Sequence, residues 1–158
     1  MAIRTIRTEG DEILKKKSKK VEVIDEKIIE LINDMIETLH KYEGVGLAAV
    51  QVGILKQIVV IQEAEDKPKH VIINPEIISQ SGTQIVEEGC LSFPNKFAKI
   101  ERPENIKIRA INEKGKKIEI SGKGLLAQAI SHEIDHLNGE VFIDKIIPGT
   151  LEIIKPEK

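Results

Sequence analysis

Hydrophobic residues recur at two spacings along this chain. Between residues 25 and 42, Ile28, Ile29, Ile32, Met35, Ile36 and Leu39 lie three or four apart, the repeat of one helical face. Asp25 stands where an N-cap belongs, and the stripe predicts packing against a sheet. His40 and Tyr42, near the end, read as boundary residues. Runs rich in β-branched residues follow at 57–62, at 70–73, and at 77–78 beyond Pro75. Residues 106–111 alternate apolar and polar, as do 117–120, and Glu113-Lys114-Gly115-Lys116 between them predicts a hairpin turn. A second helix is predicted over 125–137, after Gly122 and Gly124 and before Asn138-Gly139. Leu125, Leu126, Ala127, Ala129 and Ile130 make its first half apolar nearly all round, so it is expected to be buried. A strand is expected over 141–143 and a short closing strand in the tail. The expected class is α+β: antiparallel β-sheets around a central buried helix, with a long N-terminal helix. Residues 1–158 read as one domain, with no repeat, low-complexity tract or linker.

Composition narrows the class. The chain has 158 residues, 41% apolar and 32% charged, with three Phe, one Tyr and no Trp, so Ile, Val and Leu must build the core. A net charge of −2 gives no case for nucleic acid or a membrane surface as a direct partner. The lysine-rich stretch 11–20 reads as a solvated face on a short helix or turn. No apolar run approaches the roughly 20 residues of a membrane span. Residues 1–6 carry no export signal. One cysteine, Cys90, excludes an intramolecular disulfide and fits a cytoplasmic location. No long exposed apolar stripe is evident, so a monomer is expected.

The predicted second helix carries the chemistry. In His132-Glu133-Ile134-Asp135-His136 the two histidines are four apart, and at about 100° per residue they share one face. Both imidazoles then point at one ion, with Glu133 beside it as a base. A catalytic site of this kind uses three protein ligands, so a third donor is required. Cys90, in Glu88-Gly89-Cys90-Leu91-Ser92, is the favoured candidate, because a thiolate binds metal strongly. A lone cysteine can equally be a small buried hydrophobe. Glu152 and Glu140 compete as donors but read as surface carboxylates. Asp135 faces away from the metal side, as a supporting partner with Arg102 as a possible mate. Gly44-Val45-Gly46 taken alone reads as a turn after a helix.

These residues resemble the peptide deformylase family. Gly44-Val45-Gly46-Leu47-Ala48-Ala49-Val50-Gln51 matches its GxGLAAxQ motif, Glu88-Gly89-Cys90-Leu91-Ser92 its EGCLS, and His132 to His136 its HExDH, in order and at fitting intervals. The resemblance implies removal of the formyl group from N-terminal formyl-methionine of new bacterial or organellar proteins. It implies that Cys90, His132 and His136 bind one divalent ion, usually Fe2+, with Ni2+, Co2+ or Zn2+ as substitutes. It implies that Glu133 is the general acid/base, and that Gln51 and the Leu91 N–H hold the formyl oxygen. Donors of that kind suit the charge that develops in amide hydrolysis. Gly44, Gly46 and Gly89 suit a peptide lying alongside as an added strand. Val45, Val86, Leu125 and Ala129 are candidates to line the methionine pocket. Ser131 and Val50 depart from the common Gln and Pro of relatives, and Gln128 adds a polar group at the pocket rim. Ten residues follow Pro148, without the long basic C-terminal helix by which some relatives dock on the ribosome.

Two other readings stand beside this one. A zincin-like endopeptidase would take Glu152 as third ligand, whereas a deformylase takes Cys90. An inert metal- or peptide-binding module would need neither Glu133 nor Gln51.

Overall fold

The computed structural model describes residues 2–154; Met1 and residues 155–158 lie outside them. Helix α1 spans Glu26–Lys41, and the Asp25 side chain caps it by accepting from the Ile28 N–H at 3.0 Å. Its stripe lands as the periodicity predicts: Ile28, Ile32, Met35 and Leu39 are buried, Leu31 joins them, and Ile29 and Ile36 sit half-buried at the edges. Strands β1 (Gly46–Ala48), β2 (Ile58–Ile61), β3 (His70–Ser81), β6 (Asn105–Ile111) and β7 (Lys117–Lys123) form an antiparallel sheet in the order β1-β2-β3-β6-β7. A smaller antiparallel sheet runs β4 (Gln84–Cys90), β5 (Phe93–Arg102), β8 (Glu152–Ile153). Helix α2 covers Leu125–Leu137. The class is therefore α+β, with antiparallel sheets and two α-helices.

Strand β2 explains the layering. Its four residues, Ile58 to Ile61, are all buried. Ile58 and Val60 pack with the α1 stripe, while Val59 and Ile61 pack with Ala127, Ala129 and Ile130 of α2. Successive strand residues face opposite ways, so a strand covered on both sides needs an apolar run and not alternation. Each such side chain is worth roughly 1.5–3 kcal/mol of burial. The two helices thus sit on opposite faces of the large sheet.

Three departures have physical causes. Strand β3 does not break at Pro75; it continues from His70 to Ser81, with register shifts on its β6 partner between Ile73 and Glu76. The irregularity accommodates a residue that cannot donate to the ladder. The strand expected over 141–143 is instead a single 3-10 turn, Phe142–Lys145. Phe142 is 1% exposed there and meets the Phe93 ring edge-on at 5.6 Å between centroids, so one large side chain plugs a third core cluster and no ladder forms. Strands β4 and β5 go unpredicted: β4 mixes polar and apolar residues without clean alternation, and β5 alternates only in its second half, over 98–102.

Candidate metal centre and substrate cleft

The C-terminal half of α2 buries groups that ordinarily stay wet. His132, Glu133 and His136 are 7%, 4% and 1% exposed. The two imidazole centroids lie 4.9 Å apart, one turn along the helix. Cys90, at the end of β4, brings its Sγ to 3.3 Å from His136 Nε2. The ligand atoms of Cys90, His132 and His136 all lie within 4.8 Å of one another. The competing carboxylates are elsewhere. Glu152 is exposed on β8, and Glu140 pairs with Lys145 at 3.3 Å.

A buried ion network fixes one imidazole. Glu88 Oε2 lies 2.6 Å from His132 Nδ1, and both Glu88 oxygens accept from the Arg102 guanidinium at 3.0 and 2.6 Å. A carboxylate can only accept, so Nδ1 carries the proton and His132 Nε2 is left unprotonated in the neutral ring. Arg102 continues to Asp135 at 2.7 Å, and Lys145 reaches Asp135 from the surface at 3.2 Å. The Arg102–Asp135 pairing that the sequence offers as an option is thus present. Burial works to raise the Glu88 carboxyl, but His132 and Arg102 outweigh it and hold it at about 2. Burial pushes Glu133 up to about 7, aided by the charges of Glu88 and Asp135 against those of His132 and Arg102. For His132, burial acts downward, but Glu133, Cys90 and Glu88 hold it well above its ordinary value. Burial, with the nearby His132, drives His136 well below its own.

Glu133 faces β1. Its Oε1 is buried with no hydrogen-bond partner, and its Oε2 lies 4.0 Å from His132 Nε2. A Cβ on Gly46 would meet Oε2 at 2.7 Å, so only glycine lets the strand pass this close. Gln51, 1% exposed, approaches from the 3-10 turn Ala49–Val52. Its Oε1 accepts from the Ala48 N–H at 2.9 Å, which fixes the amide orientation, since a backbone N–H can only donate. Its Nε2 therefore faces Ser92 Oγ at 3.1 Å and Cys90 Sγ at 3.6 Å. Leu91 and Ser92 make the tight turn between β4 and β5.

These groups floor a cavity of about 780 Å³. Gly44, Val45, Gly46, Gly89, Leu91, Leu125, Ala129 and Gln128 line it. Val86 does not join them: it packs against the cluster of Phe93, Ala98 and Ile100. Sequence reasoning misses two contributors. Residues Thr5, Ile6 and Thr8 form part of the wall, on a segment pinned by Arg7 N–H to Gln51 C=O at 2.6 Å and Glu9 N–H to Ser92 C=O at 2.8 Å. Glu88 figures in the sequence only as a motif letter. Its place two residues before Cys90, the spacing of one strand face, is the available signal.

A family model described as polypeptide deformylase matches residues 3–151. The chain belongs to the polypeptide deformylase family. The peptide deformylase of Alkaliphilus metalliredigens is 54% identical over 147 residues, covering 93% of this chain and 99% of that protein. Peptide deformylase 1 of Clostridium acetobutylicum is 54% identical over 146 residues, covering 92% and 96%. The crystal structure of a peptide deformylase from Legionella pneumophila superposes with a TM-score of 0.90 at 45% identity, covering 93% of this chain and 88% of that one. The chain is thus a deformylase, a hydrolase that removes the N-formyl group from nascent peptides.

The residues of this deformylase fit a metal. One thiol and two imidazoles converge, a donor set suited to a divalent transition ion. His132 is held in the tautomer that leaves Nε2 as ligand, by the carboxylate–histidine arrangement usual behind metal-binding imidazoles. Buried polar atoms are normally paired, and Glu133 Oε1 beside the cluster is not. No helix among the described residues is long and apolar enough to cross a membrane.

Proposed function

We propose that Cys90, His132 and His136 hold one divalent ion, with Fe2+ native and Ni2+, Co2+ or Zn2+ as substitutes, and that Glu133 is the general acid/base of deformylation. The observation that carries the reading is the buried, unpartnered Glu133 Oε1 in the cavity that Gln51, Cys90 and His132 also line. When bound, the ion supplies Lewis acidity toward water and the formyl carbonyl. Glu133 takes the proton of the attacking water and returns it to the departing amine nitrogen. The Gln51 Nε2 and Leu91 backbone N–H donate to the formyl oxygen as charge develops on it. A donor in that role is commonly worth roughly 2.7–4 kcal/mol.

The formylated peptide lies extended between residues 44–46 and 87–90. Both β1 and β4 end their sheets among the described residues, so each offers an edge for main-chain pairing. Such pairing reads backbone and tolerates varied sequence after methionine. Leu125, Ala129 and Val45 supply an apolar pocket for the methionine side chain, with Gln128 at its rim. We also read the chain as a single catalytic domain acting as a cytoplasmic monomer.

The test is formate release from a formyl-Met peptide by protein purified anaerobically and loaded with Fe2+ or Ni2+. We expect turnover with either ion, and loss of the bound metal in Cys90→Ala but not in Glu152→Ala. No turnover with one ion bound per chain would overturn the assignment.

A further inference from the structure

Gln51 is held at both ends of its amide. The Ala48 N–H donates to Oε1 at 2.9 Å, and Nε2 donates to Ser92 Oγ at 3.1 Å. Ser92 is 0% exposed and does not line the cavity, whereas Gln51 and Cys90 do. The Ser92 hydroxyl therefore stands behind the amide. A serine in a tight turn, such as the one between β4 and β5, commonly bonds its own backbone. Among the described residues, the Ser92 hydroxyl instead meets one side chain, that of Gln51, 41 positions earlier.

The main chain ties the same two residues together. Arg7 N–H donates to the Gln51 carbonyl at 2.6 Å, and Glu9 N–H to the Ser92 carbonyl at 2.8 Å. Glu9 is itself held by Lys96 of β5 at 2.7 Å. Three distant stretches of chain thus meet at this pair, and the backbone sets the spacing that the two side chains bridge.

The chemistry of a primary amide shows what the bridge fixes. The amide carries two N–H groups in one plane. A single bond at Oε1 leaves that plane free to pivot, and a second at Nε2 sets it. One Nε2 hydrogen is engaged by Ser92. The other is left for the cleft side, where Cys90 Sγ lies 3.6 Å from Nε2. Sulfur is a weak acceptor, so an oxygen that gains negative charge is the stronger partner for that N–H. We infer that Ser92 is a positioning residue, whose hydroxyl aims the second Gln51 N–H at the formyl oxygen. The inference rests on the role proposed above for Gln51. A donor fixed in place beforehand needs no rearrangement as the reaction proceeds, and this is the source of its effect. Ser92 itself stays out of contact with the substrate.

The test is a double-mutant cycle on the full-length, Ni2+-loaded protein with a formyl-Met-Ala-Ser peptide. Gln51→Ala should lower kcat by about 10²–10³. Ser92→Ala should lower kcat by about 10–50-fold, with KM within about twofold of the parent and one ion still bound per chain. A misaimed donor weakens an interaction made in the transition state, so the loss falls on kcat. Adding Ser92→Ala to Gln51→Ala should cost less than about twofold more, because no aimed amide remains to lose. Equal losses in the two backgrounds, or loss of the ion from Ser92→Ala, would make Ser92 a structural residue of the turn and overturn the inference. Ser92→Ala at the parent rate, with Gln51→Ala slow, would overturn it and leave the role of Gln51 standing. Gln51→Ala at the parent rate would overturn both.

Discussion

In α1, Asp34 and Thr38 are 2% and 0% exposed, and their polar atoms are met. Asp34 accepts from the Ala2 N–H at 2.7 Å and from Arg4 Nε at 2.9 Å. The Thr38 hydroxyl donates to the Asp34 carbonyl at 2.7 Å and accepts from the Arg4 N–H at 2.9 Å. Glu37 has one covered oxygen without a partner but is itself half-exposed. In α2, Glu133 and His136 are buried as deeply, yet Glu133 Oε1 and His136 Nδ1 have no partner in the protein. An unsatisfied buried polar group costs roughly 1–3 kcal/mol. One helix therefore uses buried polarity to anchor the N-terminal segment. The other keeps it available, at the point where we propose that the reaction takes place.

The sharpest way to break this contrast is Glu133→Gln. If the carboxylate is held for proton transfer, kcat/KM for a formyl-Met peptide should fall by about 10²–10⁴ with metal content unchanged. The variant should not melt below the parent, because replacing a buried, uncompensated carboxylate relieves desolvation. A near-parent rate would remove Glu133 from the chemistry. A large loss of thermal stability would show that the carboxylate is structural after all, as Asp34 is.

A middle case sharpens the comparison. His132 lies in α2 but is satisfied from outside it, by a carboxylate 44 positions earlier in the chain. Glu88→Gln keeps the shape and an acceptor for His132 Nδ1 but removes the charge that Arg102 and the imidazole share. Metal affinity, measured by competition with a chelator, should fall about 10–100-fold, and kcat at saturating metal should fall less. Unchanged affinity would make the Glu88–Arg102 pair a fold element without influence on the ion.

These differences track the reach of local sequence patterns. The α1 stripe and the α2 boundaries follow from local spacing, and the His132–His136 pair follows from helical geometry. Cys90 is favoured as third ligand because a two-histidine site is incomplete, and Gln51 comes from resemblance alone. Hidden from the sequence are the long-range pairings: Glu88 with His132, the 5–9 segment along the cleft, and Ser92 with Gln51. Periodicity reports which face is covered but not which distant residue covers it. The same limit explains Phe142, whose β-rich neighbours Val141 and Ile143 suggest a strand. Its burial in a 3-10 turn depends on the cavity offered by Phe93 and Ala98.

The smallest effect tests the structural side. Asp34 lies in a shallow but covered site. Burial alone would raise its carboxyl, but the Ala2 N–H and the Arg4 guanidinium outweigh that and lower it below the ordinary value. A carboxyl lowered in the folded state stabilises the fold above its unfolded pKa of about 3.9, and that contribution is lost as pH falls through the lower folded value. Asp34→Asn should therefore cost roughly 1–3 kcal/mol at pH 7, read by urea unfolding of the metal-loaded protein. The gap from the parent should hold down to about pH 5, and close progressively through pH 4 and below. Because Asp34 does not line the cleft, kcat/KM of the folded variant should stay at the parent value. A stability gap that is the same at pH 3 and pH 7 would place the loss in packing and not in the charge. A slowed reaction would mean that the N-terminal segment, which Asp34 anchors at Ala2 and Arg4, transmits its position along the cleft wall to Gln51.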